Sequence, residues 1–109
     1  MRILHGAGRW APPAGGEATS YAEHLRTADL SVATYCVPAG GLDDQRPHTE
    51  DEVYVVTAGR ARLVTPAGEA AVGPGDVVFV PAGEEHRFVD VTGDLALLVV
   101  FAPAYRSRA

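Results

Sequence analysis

The stretch "GPGDVVFVPAGEEHRF", Gly73 to Phe88, is a run of turns around one short strand. Gly73-Pro74-Gly75-Asp76 is turn chemistry, and the β-formers Val77, Val78, Phe79 and Val80 follow it directly. Pro81-Ala82-Gly83 turns the chain again, and His86 stands three residues further on. Val77 to Val80 is apolar on both faces, which predicts a central strand.

Upstream lies a partner stretch, "GLDDQRPHTEDEVYVVTAG", Gly41 to Gly59. His48 and Glu52 are four residues apart, a β run continues from Val53 to Thr57, and Gly59 is read as a closing turn. Strand side chains alternate faces, so Arg46, His48, Glu50 and Glu52 share one side of an extended segment. Imidazole and carboxylate are ordinary ligands for a divalent transition metal, and His48, Glu52 and His86 converge only if the two stretches lie together.

Both stretches resemble the two motifs of the cupin superfamily, in the form of a small single-domain protein (a monocupin). Gly75, Pro81, Gly83 and His86 fall at the spacing of the second motif, with Asp90 where the family has Asn. Gly41, His48, Glu52 and Gly59 fit the first motif, but Arg46 occupies the place of its first histidine. The resemblance implies an all-β fold, a cupin-type β-jelly-roll barrel (double-stranded β-helix). It also implies a divalent transition metal (Fe, Mn, Ni or Zn) on the inner face, held by His48, Glu52 and His86.

The rest of the chain agrees with an all-β reading. Strands are predicted over Tyr21–Thr27, Leu30–Val37, Val53–Thr57, Arg60–Thr65, Glu69–Val72, Val77–Val80, His86–Val91 and Leu95–Ala102, seven or eight short strands with no helical stripe. Pro66-Ala67-Gly68 reads as a hairpin turn, and Thr92-Gly93-Asp94 as another. The expected organisation is an N-terminal arm (1–19) carrying Trp10, one barrel domain (20–103) and a tail (104–109) that frays. With 109 residues the chain has room for one core and not two.

Composition excludes several function classes. All nine basic residues are arginine, so there is no Schiff-base lysine and no phosphate-loop lysine. A net charge of −5 does not support nucleic-acid binding. Cys36 is the single cysteine, which rules out an internal disulfide, and it reads as a buried packing residue. The N-terminal apolar run is too short for a signal peptide, and Leu95–Pro103 is far below membrane-helix length; a cytoplasmic protein without membrane contact is expected. Asp43, Asp44 and Asp51 read as a solvated acidic loop.

Function follows from the site. The leading expectation is a metal-dependent enzyme (a dioxygenase, isomerase or lyase of the cupin type) acting on a small organic substrate. Glu52 serves as ligand or general base, and Arg46 clamps an anionic substrate group. Gln45 is available as a weak fourth ligand, and Asp90 or Tyr54 as the acceptor that orients a histidine. Pocket walls are expected from Tyr54, Phe88 and Phe101, with Tyr35 or Cys36, Phe79 and Leu97 also on the alternating apolar faces. Arg46 in place of a histidine supports a competing expectation: a non-catalytic binding module in which Arg46, His48 and His86 hold a small anion without metal. A homodimer is expected, because the arm has no obvious place in the barrel and open sheet edges need cover.

Overall fold

A computed structural model describes residues 1–108. It contains six strands: β1 (Ser20–Arg26), β2 (Ser31–Val37), β3 (Asp51–Thr65), β4 (Gly68–Val72), β5 (Val77–Val80) and β6 (Arg87–Ala102). All pairings are antiparallel, in the order β1-β2-β6-β3-β4, with β5 added to β3. This is the jelly-roll barrel that the motifs imply.

There are fewer strands than the sequence predicts, because two of the predicted breaks are bends within strands. β3 and β6 are 15 and 16 residues long and pair along most of their length. The register shifts between Val56 and Arg62, so Gly59 is a bulge residue and not the end of a strand. Its φ is 78°, and a Cβ there would lie 2.5 Å from the Asp94 carbonyl oxygen across the ladder. Thr92-Gly93-Asp94 likewise stays inside β6. These irregularities switch which parity faces inward. In β3, Glu52, Tyr54 and Val56 are buried, and past the bulge Ala61 and Leu63 are. In β6, Phe88 is buried and then Val91, the switch falling at Asp90, whose φ is 51°. Asp and Asn are the non-glycine residues that best tolerate this conformation, which gives position 90 a backbone reason to be one of them.

Two further expectations are corrected. β5 pairs with β3 alone, so it is no central strand; Val77 and Phe79 are 66% and 61% exposed on its outer face. Phe79 therefore cannot wall the interior. The N-terminal arm does have a place on its own barrel. The Gly8 backbone N–H donates to Thr34 Oγ1 at 2.8 Å and its carbonyl accepts from the Thr57 hydroxyl, while Cys36, fully buried as expected, points its Sγ toward the Arg9 carbonyl. Tyr35, Tyr54, Phe88, Leu97 and Phe101 fill the interior core.

Candidate metal centre

The site lies where the two quoted stretches meet. His48 precedes β3 and His86 precedes β6, so both histidines stand on connections leading into strands, and only Glu52 stands within one. The stretches are tied directly: the Gly83 N–H donates to the His48 carbonyl at 2.6 Å, and the Ala82 N–H donates to Asp51 Oδ1 at 2.9 Å. β5 also pairs Val80 with Glu52. These contacts bring one potential ligand atom from each of His48, Glu52 and His86 within 4.8 Å of one another.

Glu52 is buried, at 2% exposure, because its parity on β3 aims it inward. Its Oε1 lies 3.2 Å from His86 Nε2 and 3.6 Å from His48 Nε2, yet accepts no properly angled hydrogen bond. A buried carboxylate oxygen without a donor is costly, about 1–3 kcal/mol, and native proteins rarely keep one without a reason. A cation held by the two imidazoles and this oxygen would meet that need, and the N₂O donor set suits a divalent transition metal. The residues present therefore fit such an ion.

The histidine tautomer follows from the neighbours. His86 Nδ1 lies 2.8 Å from the Glu84 carbonyl, a pure acceptor, so Nδ1 carries the proton and Nε2 presents its lone pair inward. The acceptor that orients His86 is thus this carbonyl and not Asp90, which pairs on the barrel exterior with Arg62 at 2.8 Å. Tyr54 Oη stands 3.0 Å from His86 Nε2 and donates to Gln45 Oε1 at 2.7 Å. Burial makes His48 harder to protonate than an ordinary imidazole, outweighing the pull of Glu52. Burial opposes charge on His86 too, but there Glu52 and the Glu84 carbonyl prevail and its pKa is raised.

A cleft of about 890 Å³ opens beside the site. His48, Glu52 and Phe101 stand on its wall, as does Arg46, which is exposed and forms no ion pair among the described residues. Tyr54 is fully buried behind the site and reaches it through its hydroxyl. Phe88 packs edge-on against Tyr54, 5.0 Å between centroids, in the core and away from this wall. His86 borders a neighbouring cleft, and the segment from Asp44 to Pro47 is common to both.

Sequence reading missed three parts of this site. Asp43, taken there for a solvated acid, is buried and accepts from Tyr35 Oη at 2.6 Å and from the Phe88 N–H at 2.8 Å. Tyr105 stacks on Phe101 at 4.7 Å and stands edge-on to His48 at 5.4 Å. Arg106 lies over the Tyr105 ring and completes the cleft wall. The tail holding these two is anchored, with the Tyr105 N–H on Ser31 Oγ at 2.9 Å and the Arg108 N–H on Glu50 Oε2 at 3.0 Å.

Known proteins agree with this architecture. The family model described as "Cupin domain" matches residues 33–101. The chain is 44% identical over 84 residues to "Uncharacterized protein SCO3923" of Streptomyces coelicolor, covering 77% of this chain and 80% of that protein. Among solved structures, TT1209 from Thermus thermophilus superposes with a TM-score of 0.75 at 24% identity, covering 95% of this chain and 97% of the other. KdgF from Halomonas sp. gives a TM-score of 0.73 at 18% identity, covering 84% and 85%. At such identities the structural likeness concerns the fold alone. The matched segment carries β3, β4 and β5, most of β2 and β6, and both quoted stretches, and the chain belongs to the cupin family.

Proposed function

We infer that this protein is a small metal-dependent cupin enzyme acting on a small organic anion, with His48, Glu52 and His86 as the metal ligands. The observation that carries this reading is the buried Glu52 Oε1, which lacks a hydrogen-bond donor and faces two imidazole nitrogens beside an open cleft. A bound Fe, Mn, Ni or Zn ion supplies Lewis acidity to substrate oxygens, chemistry shared by dioxygenases, isomerases and lyases. Phe101 and Tyr105 form an apolar wall on which a small carbon skeleton packs, and Arg46 and Arg106 meet its anionic group. Glu52 doubles as general base for a substrate proton when a second oxygen is free of the metal.

Elemental analysis after loading with each metal and desalting tests the ligand set. Wild type should retain close to one ion per chain, and His86→Ala should emerge nearly empty. Wild type emerging empty would leave the metal-free anion-binding module as the better reading, since Arg46 and Arg106 remain on the wall. For Arg46 itself, Arg46→Gln should weaken an acidic ligand about tenfold and its neutral amide analogue hardly at all. Equal loss for both compounds would show that the residue only shapes its loop.

The same reading includes a homodimer and a cytoplasmic location. The former is supported by the outer face of β5, where an edge strand exposes Val77 and Phe79. The latter fits a single buried free cysteine, and no helix is long and apolar enough to cross a membrane. Light scattering at micromolar concentration that returned the 11.4 kDa of one chain would count against the dimer.

A further inference from the structure

We propose that Gln45 is a fourth, oxygen-donating ligand of the metal centre and that Asp43 is the positioning residue that aims it; this rests on the metal reading above. The argument begins with the orientation of the Gln45 carboxamide. Its Nε2 lies 2.7 Å from Asp43 Oδ2. An ionised carboxylate only accepts hydrogen bonds, so the end of the amide facing Asp43 is the NH₂ group. The carbonyl end must then face the other way, into the site. There Oε1 stands 3.3 Å from His48 Nε2 and 2.7 Å from Tyr54 Oη. Tyr54 donates to one lone pair of Oε1, and a carbonyl oxygen has a second.

Asp43 is well placed to hold this aim. It is 6% exposed, and two of the four donors to it stand on strands, Tyr35 on β2 and Phe88 on β6. Oδ1 accepts from Tyr35 Oη on β2 at 2.6 Å and from the Gln45 backbone N–H at 3.2 Å. Oδ2 accepts from the Phe88 N–H at the start of β6 at 2.8 Å, as well as from Gln45 Nε2. Rotation of Asp43 would strand a buried donor on either side, and a flip of the Gln45 amide would set its carbonyl against the carboxylate. Phe88 is also two residues from His86, so one carboxylate positions Gln45 and the segment bearing a histidine ligand.

This placement accounts for Arg46. The family pattern puts a histidine at position 46, but here the Arg46 side chain is exposed while its neighbour Gln45 turns inward. The metal centre thus has two imidazole nitrogens and two oxygens, one charged and one neutral. Replacing a nitrogen by an oxygen donor shifts preference toward harder ions such as Mn²⁺ and away from Ni²⁺.

Titration of the metal-stripped full chain with Mn²⁺, Ni²⁺ and Co²⁺, the last followed by its visible absorption, tests both halves. Gln45→Ala should weaken Mn²⁺ binding at least about tenfold and change the Co²⁺ spectrum, and Gln45→His should move the Ni²⁺ to Mn²⁺ affinity ratio toward Ni²⁺ by about as much. Asp43→Asn should reproduce the Gln45→Ala spectrum. In wild type, the Gln45 side-chain amide protons should exchange slowly with solvent, a readout that stands even if Asp43→Asn does not fold. Wild type that binds none of the three ions overturns the metal reading itself. Wild type that binds them while Gln45→Ala keeps its affinity and spectrum overturns the ligand assignment alone. Rapid exchange of the Gln45 amide, or a folded Asp43→Asn with the wild-type spectrum, overturns the aiming role.

Discussion

Glu52→Gln is expected to lower metal affinity by more than about 100-fold while leaving the metal-free barrel as stable as wild type or more so. Losing a partner that merely orients a ligand costs roughly 10- to 100-fold in metal affinity, so losing the anionic ligand itself should exceed that range. At a pH where His86 is neutral, the metal-free protein responds in the opposite direction. Its Glu52 Oε1 is buried without a donor, 3.2 Å from a His86 Nε2 whose proton sits on the far nitrogen. An amide at this position has an N–H to offer that lone pair, so about 1–2 kcal/mol of stability should be gained. Elemental analysis and urea unfolding of the metal-free variant give the two readouts. A variant that retains metal, or that is destabilised without it, would show that Glu52 serves the packing of the barrel and not the ion.

Gly59→Ala should destabilise the fold by about 2–5 kcal/mol, a large share of the 5–15 kcal/mol typical of a domain. Two costs combine. A side chain at φ 78° is strained, and its Cβ would meet the Asp94 oxygen at 2.5 Å and Leu95 Cα at 2.7 Å. Both contacts are backbone, which cannot rotate aside as a side chain would. Gly15→Ala is the control, with nothing within 4 Å and no positive φ, and should be nearly neutral. The fall in urea midpoint for Gly59→Ala at unchanged slope measures the effect.

Gly59 also shows how far the fold was legible in the sequence. Alternation and turn residues placed the β segments, and the two motifs specified their closure into a barrel. A glycine flanked by strands reads as a turn, however, and whether the chain reverses there or only bulges depends on the partner strand. The partner of Gly59 lies about 35 residues away at Asp94 and Leu95. The proposed ligand residues were legible because His48, Glu52 and His86 carry their chemistry in their side-chain type. Asp43 was not, since an aspartate among acidic neighbours looks the same whether it is solvated or fed by four donors. Tyr105 and Arg106 were hidden for another reason. They belong to a proline- and alanine-containing tail whose docking rests on distant partners, Ser31, Glu50 and Phe101.

That docked tail bears on how the protein can be handled. The Arg108 N–H is fixed to Glu50, two positions from Glu52, and Arg106 already stands on the cleft wall. A polyhistidine segment joined close behind Arg108 would lie within reach of the cavity, where its imidazoles would compete with His48 and His86 for any ion supplied. Met1, by contrast, is fully exposed, and the neighbouring arm lies on the outside of the barrel through Gly8. An affinity handle belongs at that end of the chain.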